Sequence, residues 1–271
     1  MVVDSKFYAR NMLVTHWFLL ATYGELILSN TVLDWMNLHG LSKPSIVAFL
    51  NSQTENKPFL HPHGSDDIEQ NFDMSLDPLC VVLKSFAWYF NDPSVEGMLS
   101  HNVGWVSDAH SVPQDGPLTW HDAEQITVYC CYKGSASDLI ALAHEFGHAL
   151  QLVHLNGRFS PPVDREICAF LGEHILLSYC EAHHPKLYPA LAKVWHGEDK
   201  IYLGQDADIL KSALDDPQAS YAFRHNYPVA RLAAHDLFAQ MSAPGVLNIF
   251  MGHPGLSECT ALHRKNLEHV A

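Results

Sequence analysis

The sequence has no Cys-x-x-Cys pair, no excess of basic residues and no leader-like N-terminus. Each absence excludes something. The six cysteines (Cys80, Cys130, Cys131, Cys168, Cys180, Cys259) lack the paired spacing of a cysteine zinc site. Most sit in apolar runs, and the chain is too large to need a disulfide framework, so reduced, buried thiols are expected. The 16 Lys and Arg stand against 30 Asp and Glu, a formal net charge of −14. That balance argues against a nucleic-acid backbone or an anionic membrane as partner. Residues 12–28 are apolar in places, but His16 and Glu25 interrupt them, and they read as a core helix rather than a bilayer span. The opening Met-Val-Val-Asp-Ser-Lys has no basic n-region ahead of an unbroken apolar core. A cytoplasmic protein is therefore expected, with leaderless export left open. There is no internal repeat and no low-complexity tract.

What is there describes an ordinary globular chain: 271 residues, 48% of them apolar and 17% charged. The length suffices for a large core in one large domain or two small ones. Histidine is abundant, with 19 residues. Within an apolar stretch from Leu139 to Leu150 lies His144-Glu145-Phe146-Gly147-His148. Two histidines four apart on a helix project from one face, about one turn apart, so both imidazoles reach a single metal ion. Glu145 follows the first of them and is placed to handle the proton of a metal-polarised water. At this histidine content the bare pattern arises by chance in roughly one such chain in fifteen, so its surroundings must decide. The flanking residues are small and apolar, which predicts a buried helix. Two histidines and a glutamate on one turn of a buried helix are costly without a partner or a metal. The expectation is a zinc hydrolase.

A catalytic zinc takes a third protein ligand and leaves one position to water. The next helix, expected over residues 163–183, carries Asp164, Glu166, Glu173 and His174. Glu166 lies 18 residues past His148, which suits a helix end, a turn at Asn156-Gly157, a loop through Pro161-Pro162 and a returning helix. Glu166 is the preferred third ligand and Glu173 the alternative. Glu173, two turns further on the same face, would otherwise support a ligand by accepting an imidazole N–H. His154 is expected outside the ligand shell.

Elsewhere, residues 7–39 read as helix, and Ser42-Lys43-Pro44 reads as a helix start. Residues 51–66 read as a loop carrying His61 and His63. An amphipathic helix is expected over 75–90. Residues 91–125 read as broken by Pro93, Gly97, Pro113, Gly116 and Pro117, with room for a short strand, Asn102–Ser107. Gln125 to Tyr132 is rich in β-branched and aromatic residues and reads as a buried strand. Ser135 or Ser137 would cap the motif helix. From residue 163 onward, four or five helices are expected, separated by Pro185, Gly197, Gly204, Pro217, Pro244 and Pro254.

The run from Ile126-Thr127-Val128-Tyr129 through Gly134-Ser135 and Asp138 to Leu142-Ala143-His144-Glu145-Phe146-Gly147-His148-Ala149-Leu150 resembles the thimet oligopeptidase and oligoendopeptidase F family of zinc peptidases. In that family a strand and a short glycine turn lead into the His-Glu-Phe-Gly-His helix. The third ligand there is a Glu followed seven residues later by another, an interval that Glu166 and Glu173 reproduce. The resemblance covers residues 125–175. It implies a zincin-like α+β fold, mainly helical, with a small sheet beside the active-site helix. It implies one catalytic domain over residues 1–271, with residues 1–120 a shortened helical N-terminal part and 121–271 the core. It also implies one zinc held by His144, His148 and Glu166, and a peptide or protein substrate. Near the C-terminus the family carries a His and several Tyr that contact substrate and oxyanion. The comparable stretch here runs from Ser220 to Arg231, followed by Ala233-Ala234-His235-Asp236-Leu237-Phe238. His225 and Tyr227 are its candidates, with Tyr221 an alternative. The family's Gly-Gly-Tyr and Tyr-Tyr-x-Tyr cluster is missing. Glu145 would act as general base, and the strand near Tyr129 to Tyr132 would pair with extended substrate backbone. Other readings of the same residues are a non-haem iron enzyme, since two histidines and a carboxylate also suit iron, and an inactive binding protein descended from a peptidase.

Overall fold

The computed structural model describes residues 31–52, 76–108, 111–112, 116–121, 125–156, 158, 160–216 and 218–260. Residues 7–30 of the first expected helix and the loop with His61 and His63 lie outside them. The described residues are mainly helical, with one small three-stranded sheet among them. In order, α1 spans Val32–Leu38, α2 Lys43–Ser52, α3 Pro78–Phe90 and α4 Pro93–Asn102. Strands β1 (Val103–Val106), β2 (Leu118–His121) and β3 (Ile126–Tyr129) follow. The metal-motif helix α5 is Ala136–Leu155, and α6 is Pro162–His183. Helix α7 (Tyr188–Asp199) passes through a π-helical turn, Lys200–Asp206, into α8 (Ala207–Ala213). A 3₁₀ turn, Phe223–His225, opens α9 (Asn226–Gln240), and α10 is Ala243–Phe250.

Local chemistry accounts for the helix starts. Ser135 Oγ accepts from the Asp138 N–H while Asp138 Oδ2 accepts from the Ser135 N–H, a capping box that fixes where α5 begins. Of the two serines expected as caps, Ser135 is the one. Helix α5 ends at Asn156, whose left-handed backbone (φ 48°) turns the chain toward α6. Helix α6 starts at Pro162, which has no N–H to satisfy, but its cap Pro161 has no side chain to offer. The donor that follows, Val163 N–H, is taken by His39 Nε2 at 3.1 Å from the far end of α1.

Three expectations need correction. Residues 91–125 hold a ten-residue helix, α4, and a strand, β2, besides the expected β1. Asp92 caps α4 through the Ser94 N–H and Pro93 occupies its first turn, so that proline starts a helix instead of breaking one. Gly197 and Gly204 do not separate helices. Helical backbone runs on from Tyr188 to Ala213, and the π-helical turn takes up the change of register there. Finally, β3 is not an edge. It pairs in parallel with β1 and antiparallel with β2, so both its sides are occupied, and the Cys130 N–H still bonds Val106 O. Substrate backbone cannot add along Tyr129.

One continuous apolar cluster runs from Val32 on α1 to Cys259 and includes Phe146, Phe170, Leu176 and Phe250. The sheet covers one side of α5, with Ile126 and Val128 pointing in. On another side α6 packs along α5, and α9 along α6. All six cysteines are free, and Cys130, Cys168, Cys180 and Cys259 are buried. No described helix is long and apolar enough to cross a membrane.

Candidate metal centre

The site lies where α5 crosses α6. Gly147, between the two motif histidines, is the reason they cross so closely. A Cβ there would stand 2.6 Å from the Cys168 carbonyl oxygen and 2.8 Å from the Ala169 Cα. The backbones therefore touch, and residues one turn along each helix meet side chain to side chain. His144 and His148 on α5 face Glu166 on α6. One ligand atom from each of the three lies within 4.8 Å of the other two.

The distances suit a shared ion better than direct bonds. His144 Nε2 is 3.5 Å from Glu166 Oε2, and His148 Nε2 is 3.6 Å from Glu166 Oε1. Both exceed a good hydrogen bond. Ligand atoms at about 2.0–2.1 Å from zinc stand roughly 3.3 Å apart at the tetrahedral angle, close to what is seen. Glu166 Oε2 is buried and has no hydrogen-bond partner. Such an atom is costly to leave alone and fits a metal ligand.

The electrostatics agree. Burial disfavours charge on the His148 imidazole and lowers its pKa to about 3, leaving a neutral ring with a lone pair to offer. Burial opposes charge on His144 too, yet Glu166 and Glu173 outweigh it and hold its pKa well above the ordinary value. Burial pushes the Glu166 carboxyl up, but the two imidazoles outweigh that and keep it low. The three groups thus form a seat that favours positive charge.

Glu145 points toward the sheet. The hydroxyl oxygen of Thr119, on β2, lies 2.7 Å from Glu145 Oε2 and 2.8 Å from the Glu145 carbonyl oxygen, to either of which it donates. Burial raises the Glu145 pKa, while the His144 charge and the Thr119 hydrogen bond pull the other way. The result is a carboxyl better suited to take up and release a proton than an exposed one.

No known family model, curated protein or solved structure matches this chain.

Glu173 takes the supporting position. His144 Nδ1 donates to Glu173 Oε1 at 2.7 Å, which makes Nε2 the nitrogen that a metal would take in exchange for its proton. His154 is outside the cluster, with its pKa lowered by burial. Of the C-terminal candidates, Tyr227 is close enough to Glu166 and Glu145 for both to raise its pKa, already driven well up by burial. Burial likewise raises Tyr221, with a further push from Glu166, and its hydroxyl oxygen accepts from Asn226 Nδ2 at 2.6 Å. His225 is buried, and its Nδ1 accepts from the Ala222 N–H at 3.2 Å, so the ring proton is on Nε2. Burial, with Arg224 adding, lowers its pKa to about 4. Its ring lies 5.9 Å from that of Tyr221, and no described contact joins it to His144, His148 or Glu166.

Sequence reasoning missed Thr119, Tyr202, Asp199 and Arg231. Tyr202, on the π-helical turn, sets its ring at a tilt to those of Phe170 (5.4 Å) and Tyr227 (5.3 Å). A π-helical turn in a helical path is itself a signal of a functional site, but no residue pattern in the sequence marks it.

Proposed function

We propose that this chain is a zinc-dependent metallopeptidase of zincin-like fold, related to the thimet oligopeptidase and oligoendopeptidase F family that its motif region resembles. The observation that carries the reading is the meeting of His144, His148 and Glu166 around one point, with Glu145 on the same helix turn. Two imidazoles and a carboxylate are a donor set of catalytic zinc sites. Iron shares that set, but the buried Glu145, anchored by Thr119, favours hydrolysis.

Bound there, zinc would polarise a water molecule and the peptide carbonyl. Glu145 accepts the water's proton on its carboxylate and delivers it to the departing amine. Tyr227 keeps its hydroxyl proton at all ordinary pH values, since its pKa is raised, and donates it as a hydrogen bond to the developing oxyanion. Tyr221 is the alternative donor. His225 contributes through its packing on Tyr221.

Metal analysis of protein purified without added metal, joined to cleavage of a mixed peptide library with and without chelator, tests this. One zinc per chain with chelator-sensitive cleavage is expected. Iron with oxygen consumption, or no metal, would overturn it, and zinc without cleavage would favour a binding role.

A further inference from the structure

Arg231 on α9 is fully buried, with 0% exposure. Its guanidinium lies over the rings of Trp195 (4.3 Å), Phe170 (4.9 Å) and Tyr202 (5.6 Å). A charge so enclosed persists only with good partners. It has three: Nη1 donates to Glu173 Oε2, Nε to Asp199 Oδ1 at 2.8 Å, and Nη2 to the Trp195 carbonyl at 3.2 Å. Asp199, the last residue of α7, also faces His235 Nε2 at 3.4 Å and His196 Nδ1 at 3.7 Å.

The two oxygens of Glu173 therefore have different duties. Oε1 accepts from His144 Nδ1, and Oε2 accepts from Arg231. A carboxylate held at one oxygen can still swing about its last torsion. Held at both, its plane is set, and with it the direction in which the His144 ring is drawn. We propose that Arg231 is a positioning residue for the metal ligand His144, acting through Glu173 and itself held in place by Asp199. This rests on reading His144, His148 and Glu166 as metal ligands. The geometry calls for arginine, since a planar fork reaches Glu173, Asp199 and a carbonyl in three directions and an ammonium on a single stem does not.

The test is zinc affinity of the metal-stripped full chain, measured by competition with a chromophoric chelator, with the visible spectrum of the cobalt(II)-loaded protein alongside. Arg231→Lys keeps the charge and loses the fork. It is expected to weaken zinc about 10–100-fold, as loss of a ligand's supporting partner does, and to shift the cobalt bands. Glu173→Gln should weaken zinc similarly. The double variant should bind no more weakly than Glu173→Gln alone, because the proposed action of the arginine on His144 runs through Glu173. Asp199→Asn, which loosens the arginine without removing it, should give a smaller loss in the same direction. A folded Arg231→Lys that binds zinc within about twofold of wild type with unchanged cobalt bands would overturn the proposal, as would additive losses in the double variant. If Arg231→Lys does not fold, Asp199→Asn at wild-type affinity overturns it equally. Absence of zinc binding by the wild-type chain would sink the metal reading and this inference together, whereas wild-type binding with indifferent variants would sink this inference alone.

Discussion

A Cβ on Gly172 would stand 3.2 Å from the Cα of Gly147 and 2.5 Å from the Ala143 carbonyl oxygen. These two glycines face each other across the α5–α6 crossing and set its closeness. The crossing in turn sets the distance from His144 and His148 to Glu166.

Gly172→Ala therefore has to push two backbones apart. Overpacking of this kind costs about 1–3 kcal/mol, and denaturant unfolding should show it as a lower midpoint at unchanged slope. Zinc affinity should fall as well, because Glu166 moves with α6. Wild-type stability and affinity in this variant would refute the role given to the crossing.

Glu145→Gln keeps the volume and the Thr119 contact but cannot accept a proton. Peptide cleavage should fall about 10²–10⁴-fold, while zinc content stays at the wild-type level. Substantial cleavage by Glu145→Gln would rule out the general-base role.

His39 caps α6 from outside. Its Nδ1 donates to the Trp35 carbonyl (2.8 Å), and its Nε2 accepts from the Val163 N–H (3.1 Å). His39→Ala should cost about 1 kcal/mol, the usual size of a lost helix cap. Burial lowers the His39 pKa below its ordinary 6.5, against a smaller pull from the Trp35 carbonyl. The folded form thus prefers the neutral ring, so this contribution is complete above pH 6.5 and is lost as pH falls toward the lowered value. Unfolding midpoints at pH 8 and pH 5 should draw closer together in His39→Ala than in wild type. An unchanged gap would exclude His39 as a source of acid sensitivity.

Glu198 titrates in the opposite sense. Burial, with Glu173 and Asp199 adding, raises its pKa from 4.5 to about 8 despite Arg231. Its neutral form is the one the fold accepts, so stability is full below 4.5 and declines as pH climbs toward 8. Glu198→Gln should remove that decline, giving a variant whose melting temperature relative to wild type is higher at pH 9 than at pH 5. Equal differences at the two pH values would refute it.

Much of the site could be read from spacing alone because its residues lie on two successive helices. His144 and His148 are four apart, and Glu166 and Glu173 are seven apart, so helical periodicity fixes each pair's face. Sequence could not show that Arg231 reaches Glu173 across 58 residues, or Asp199 across 32, because no local pattern records which helix packs on which. Thr119 was hidden for a related reason. It sits on a four-residue strand behind Pro117, too short for an alternation to declare itself. The helix at Pro93 was misread because proline both starts and breaks helices, and only the Asp92 cap tells which. Of the strand expected over residues 125–132, only Ile126–Tyr129 is strand, and its pairing on both sides is a property of the sheet and not of the strand's own residues.

The free cysteines give the molecule an internal record of its own opening. Burial holds the Cys168 thiol well above its ordinary pKa, and those of Cys130 and Cys180 up to about 12, so none reacts while the chain is closed. Cys168 lies on α6 between Glu166 and Glu173, and its carbonyl is the atom against which Gly147 rests. The thiol faces another way, with Sγ 3.9 Å from the Ile249 carbonyl oxygen, so an alkylating reagent can mark that residue only after α10 has lifted from α6. The mass added at Cys168 over time would therefore clock how often α10 and α6 come apart.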